Sequence, residues 1–83
     1  IIGLTKYTAS YWGAKNVRCN AIAPGGMFNN QDKLFVKQIN QLIPLGRMAK
    51  KNEYNALVLF LCSDLSSYIN GATISADGGR TII

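Results

Sequence analysis

The 83 residues include no histidine, two cysteines, two prolines, and four acidic residues against nine basic ones. Without histidine, and with Cys19 and Cys62 far apart in the chain, no ligand set for a structural zinc ion can be assembled. Both cysteines lie in apolar runs, where thiols behave as small hydrophobes, and they read as reduced. Asp77-Gly78-Gly79 offers one carboxylate without the further oxygen ligands calcium requires, so it reads as a turn and no metal site is expected. No window approaches the roughly eighteen continuous apolar residues of a membrane span, the scattered cations argue against an anionic membrane as partner, and no signal peptide is visible. The net charge of +5 raises nucleic acid as a partner. The cations are scattered singly, however, with Lys50-Lys51 the only adjacent pair. No stripe tracks a phosphate backbone, and these cations, Arg18 included, read as solvated surface.

Hydrophobic residues reach 48%, yet charged residues are only 16%, below the usual level of about a quarter. A chain this short with a complete core of its own would carry a more charged exterior, because small domains bury a smaller share of their surface. The composition is that of a cut-out from a larger protein. Residues 1–11 read as a helix already under way, with no capping residue ahead of Ile1, and the first helix is expected to end near Gly13.

The most informative segment is Arg18-Cys19-Asn20-Ala21-Ile22-Ala23-Pro24-Gly25-Gly26. Residues 17–23 read as a strand covered on both faces, which Pro24 ends. In open parallel α/β sheets the carboxyl ends of strands form the binding crevice, and glycine lets main chain approach a ligand. Residues 27–45 carry Asn29-Asn30-Gln31-Asp32, then a helical period at Leu34, Phe35, Ile39, Leu42 and Ile43 before Pro44. Asn52-Glu53 opens the next helix, whose residues 56–62 are apolar on every face and are expected to be buried all round, between sheet and neighbouring helix or subunit. Asn70-Gly71 turns the chain into a last strand at residues 72–76. Asn20 reads as a tie from the strand to an adjacent loop. Arg47 reads as a surface anchor, with contact to substrate or phosphate as the alternative.

Arg18-x-Asn20-Ala21-Ile22-x-Pro24-Gly25, then Gly46-Arg47, Leu59-Phe60-Leu61-Cys62-Ser63-Asp64, Asn70-Gly71-Ala72-Thr73 and Asp77-Gly78-Gly79 resemble, in order and spacing, the C-terminal part of the short-chain dehydrogenases/reductases. The resemblance implies an α/β fold, the C-terminal part of a Rossmann-type doubly wound parallel sheet arranged helix–strand–lid helix–helix–strand. It makes residues 1–83 one incomplete segment of a single dehydrogenase domain, since the family is roughly three times as long. The family's glycine-rich nucleotide fingerprint and its catalytic Tyr-x-x-x-Lys would lie upstream of Ile1.

Tyr11-Trp12-Gly13-Ala14-Lys15 has the spacing of that catalytic pair, but its register is wrong. The family's pair stands about thirty residues ahead of the Pro-Gly loop, most of a helix plus a strand, whereas Tyr11 stands thirteen ahead of Pro24. Tyr11 and Lys15 therefore read as packing and a solvated charge, and no catalytic residue is expected in this chain. The resemblance implies that Pro24, Gly25, Gly26 and Met27 border the nicotinamide of NAD or NADP, with the Met27 N–H and C=O holding its carboxamide. The family's Thr two residues past Met27 is Asn29 here. Residues 28–43 resemble the substrate lid, with Phe28, Phe35 and Leu42 as pocket or core. The implied function is hydride transfer between nicotinamide and a small carbonyl or alcohol substrate in a cytoplasmic homodimer or homotetramer. The alternative is a non-catalytic remnant or interaction module.

Overall fold

The computed structural model describes residues 1–82. Its elements are α1 (Ile2–Trp12), β1 (Ala21–Pro24), α2 (Lys33–Gln41), α3 (Asn55–Cys62) and β2 (Thr73–Ala76), with short 3-10 turns at Gly13–Lys15, Asp64–Ser66 and Arg80–Ile82. The chain divides into two compact units, Ile1–Ala23 with Ala56–Ile74, and Pro24–Asn55 with Ser75–Ile83.

In the first unit α1 buries Thr5 and Ala9. Trp12 ends α1, and Asn16 closes the following turn in the left-handed region at φ 61°, its N–H bonded to the Gly13 C=O. Asparagine tolerates that conformation better than most residues. The strand then begins later than the apolar run suggests. Two asparagine amides account for the delay. The Cys19 N–H donates to Asn70 Oδ1 at 3.0 Å, and the Ala72 N–H to Asn20 Oδ1 at 2.9 Å. Side chains thus take places that main-chain rungs would hold, and regular pairing starts only where the Ala21 N–H meets the Ala72 C=O at 2.8 Å. The expected strand at residues 17–23 is corrected to Ala21–Pro24. Asn20 also donates to the Ile69 C=O at 2.9 Å, the strand-to-loop tie expected of it.

Arg18 is not solvated surface. Its guanidinium donates to the carbonyls of Leu61, Ser63, Ser66 and Ile69 and to the Ser66 hydroxyl, at 2.8 to 3.2 Å. The last carbonyls of a helix have no intrahelical donors and carry its negative dipole end, so one planar cation satisfies the C-terminus of α3 and the turn after it. Ser66, at 1% exposure, is the most buried side chain of the unit. No residue of α3 is buried: Leu59 stays 69% exposed and Phe60 38%. Among the described residues nothing covers that face, whose expected cover is a neighbouring helix or subunit.

In the second unit the Gly25 N–H donates to the Ala76 C=O at 2.9 Å. This bond and the one from Ala21 to Ala72 each advance four residues on both strands, so β1 and β2 run parallel. Pro24 is the last residue of β1 and not its terminator; lacking an N–H, it fits an end position. Asp32 caps α2 by accepting the Leu34 N–H at 3.2 Å. α3 starts at Asn55 instead of Asn52, because Glu53 reaches back to the Lys50 N–H at 2.7 Å and holds residues 50–54 in turns. Ile43 and Met48, each 6% exposed, form the buried apolar centre of this unit. Gly78, at φ +67°, lies so close to Ile43 that a Cβ there would stand 2.7 Å from its Cγ2.

Candidate functional site

The loop leaving β1 is stitched by its main chain, and the stitching decides what each residue can offer. The Gly25 N–H is bound to Ala76, and its C=O accepts the Tyr54 hydroxyl at 3.0 Å. A Cβ on Gly25 would stand 2.7 Å from Asp77 Cα, closer than real Cβ contacts come. Glycine here therefore serves the approach of two main chains within the unit, which corrects the expectation that it clears space for a ligand. The Gly26 C=O accepts the Ala49 N–H at 3.0 Å, and the Phe28 N–H donates to the Ala49 C=O at 2.9 Å.

These two bonds flank Met27, which forms an isolated parallel bridge with Ala49. In a parallel bridge the central residue's own N–H and C=O point to the opposite edge. The Met27 N–H has no partner among the described residues, while its C=O accepts the Gln31 side-chain amide at 2.9 Å. Gln31 also accepts the Asn29 N–H at 2.7 Å. Asn29 is exposed, and its side chain makes no hydrogen bond among the described residues. Gln31 escaped the sequence reading. Its signal was its place just before the helix cap Asp32, from which a long side chain can fold back over the preceding loop.

The lid candidates separate. Phe28 lines a cavity of about 700 Å³ with Gln31, Lys33, Val36, Lys37 and Asn40, and a second of about 300 Å³ with Val36, Asn40 and Met48. Phe35 and Leu42 are 47% and 49% exposed and line neither. The core role belongs to Ile43 and Met48. Arg47 is an anchor: it forks onto the Glu53 carboxylate, with one contact at 3.0 Å. That hydrogen bond, helped by the Lys50 N–H, holds the Glu53 carboxyl down at about 2. Asp77 accepts from the Thr81 hydroxyl at 2.6 Å and the Gly79 N–H at 2.9 Å, which lowers its pKa and closes the expected turn. Among the described residues no cluster of three metal-ligating side chains forms, and no helix is long and apolar enough to cross a membrane.

Tyr11 and Lys15 do not form a pair. The helix breaks between them, Lys15 lies over the Trp12 ring at 5.7 Å, and Tyr11 packs against Tyr7 and Trp12 at 5.9 and 5.0 Å.

Residues 1–81 match the family described as enoyl-(acyl carrier protein) reductase. The chain belongs to the short-chain dehydrogenase/reductase family. A 3-oxoacyl-(acyl-carrier-protein) reductase of Aquifex aeolicus is 41% identical across 95% of the chain and 34% of that protein. A short-chain dehydrogenase of Leptospira borgpetersenii, solved with bound NAD+, is 42% identical with a TM-score of 0.92 over 98% of this chain and 32% of that one. An Agrobacterium tumefaciens protein described as a 2-deoxy-D-gluconate 3-dehydrogenase, solved with NADP, is 35% identical with a TM-score of 0.89 over 99% and 36%. The chain thus spans about a third of the length of these relatives. Its parallel strands and helices are part of a Rossmann-type α/β fold.

Proposed function

We propose that this chain supplies the nicotinamide-side loop and the substrate lid of an NAD(P)-dependent oxidoreductase acting on a small carbonyl or alcohol compound. In this reading residues 1–83 belong to one dehydrogenase domain, and the exposed face of α3 is covered when the protein assembles as a homodimer or homotetramer. The observation that carries the proposal is the outward-turned Met27 main chain, a donor and an acceptor side by side on an edge that Ala49 does not use.

The fit to a nicotinamide is supported by what already occupies that acceptor. The Gln31 side chain is itself a primary carboxamide, and it rests on the Met27 C=O. Met27 would donate to the carboxamide oxygen and accept from its amide, fixing the plane of the ring. Asn29 stands where its exposed amide can reach the same group, while the bare side of Gly26 seats the loop against Met48. Pro24, without an N–H, and Gly25, whose N–H and C=O are both bonded, contribute through rigidity. When bound, the dinucleotide accepts or delivers the hydride at its ring, and this chain's part is orientation.

The test uses the full-length protein carrying these residues. Met27→Pro removes the N–H while sparing both Ala49 bonds, and it should weaken NADH binding about tenfold or more, as loss of a well-placed hydrogen bond does. Met27→Leu should bind normally, because the main chain does the holding. Equal binding by both variants, with folding confirmed by circular dichroism, would refute the assignment.

A further inference from the structure

Cations that are scattered along the sequence are gathered by the fold of the second unit. Phe28, Val36 and Asn40 are shared between its two lid cavities. Lys33 and Lys37, one turn apart on α2, line the larger one, and Arg47, Lys50 and Lys51 line the smaller. No carboxylate among the described residues lines either. The unit's three acids are engaged elsewhere: Asp32 caps α2, Glu53 holds Arg47, and Asp77 binds Gly79 and Thr81. Arg47 is neutralised by Glu53, whereas none of the four lysines has a salt-bridge partner among the described residues. Low-dielectric walls lined by charge of one sign concentrate counter-ions. Apolar Phe28 and Val36 provide such walls, and the larger cavity has the volume of ordinary small-molecule sites.

A second observation points to a ligand. Asn40 Oδ1 is buried and has no hydrogen-bond partner among the described residues. Buried acceptors are ordinarily satisfied, so an unsatisfied one between two cavities calls for an explanation, and an incoming donor is one. Gln31, which holds the Met27 carbonyl, lines the same larger cavity, so the cavity adjoins the proposed nicotinamide position.

We infer that the lid cavity selects an anionic substrate, a carbonyl or alcohol compound bearing a carboxylate or phosphate held by Lys33 and Lys37, with a substrate hydroxyl donating to Asn40 Oδ1. This rests on the oxidoreductase reading above. The probes are matched pairs: levulinate with methyl levulinate for a carboxylate, and dihydroxyacetone phosphate with dihydroxyacetone for a phosphate and hydroxyl. Each is reduced by the full-length protein with NADH or NADPH.

At least one charged member should exceed its neutral partner by about tenfold in kcat/KM at low ionic strength, and the advantage should shrink as salt is added. The pair that shows it identifies the anion. In Lys33→Met/Lys37→Met the ratio should fall to near one; both lysines are exposed, so the change leaves the core untouched. Equal rates within both pairs, a salt-independent ratio in the unmodified protein, or a ratio that survives the double substitution would overturn the inference. Cofactor binding without reduction of any probe would also count against this substrate class. Failure to bind either cofactor would instead sink the oxidoreductase reading.

Discussion

The Cβ that Gly25 lacks would stand 2.7 Å from the Cα of Asp77, whereas one on Gly26 would meet only the side chain of Met48, its Sδ at 3.3 Å. Main chain cannot yield as a thioether can. In the full-length protein Gly25→Ala should therefore cost about 1–3 kcal/mol by urea unfolding, and Gly26→Ala less than about 1. The reverse order would show that the loop is not held against Asp77.

Arg18 should be the most sensitive basic residue. Arg18→Met removes the charged donor shared by the carbonyls of Leu61, Ser63, Ser66 and Ile69. Each keeps a neutral donor, from Ser66, Ile69 or Asn20, so the loss is that of charge-assisted hydrogen bonds, about 1.5–3 kcal/mol. Arg18→Lys keeps the charge and loses the fork, so its stability should fall between the other two. Urea midpoints in the order Arg, Lys, Met would establish this.

Acid should weaken the turn at residues 50–54. The folded Glu53 carboxyl sits at about 2, held there first by Arg47 and then by the Lys50 N–H, while an unfolded Glu titrates near 4.3. Its contribution is thus fully present above about 4.3 and is lost as pH falls toward about 2. Glu53→Gln should flatten that limb of a stability-against-pH curve, with Asp77, whose pKa is also lowered, carrying part of what remains. A Glu53 side chain titrating near 4 by NMR would contradict the ion-pair geometry.

Tyr11→Phe should leave hydride transfer within about twofold of the unmodified protein, because its ring packs against Tyr7 and Trp12 and its hydroxyl bonds nothing among the described residues. Loss of turnover in a folded variant would restore Tyr11 as a candidate acid/base.

What could be read in advance was whatever depends on local pattern. The period of α2, the last strand, the tie at Asn20 and the family motifs are written in neighbouring residues. What could not be read depends on groups brought from afar. The role of Arg18 requires carbonyls 43 to 51 positions downstream, and charge scattering says nothing about such convergence. The late start of β1 follows from Asn70, another loop's side chain. Lys33, Lys37, Lys50 and Lys51 look like ordinary surface until the turns at residues 42–54 bring both pairs around Phe28 and Asn40. The space beside Gly25 was read as room for a ligand because the sequence does not show Asp77 there.

The Asn70-Gly71 pair carries a further consequence, for the protein's chemical lifetime. An asparagine followed by glycine is the dipeptide most prone to deamidate, through attack of the glycine nitrogen on the asparagine amide, and such residues are thermolabile. Here the Gly71 nitrogen is occupied by the Cys19 C=O at 2.8 Å, and the amide is pinned at both ends, by the Cys19 N–H and the Ala9 C=O. Attack requires those bonds to open, so ageing at this site is tied to opening of the first unit. Once converted to a carboxylate, Asn70 could no longer donate to Ala9, and a single lapse in folding would leave a permanent covalent record.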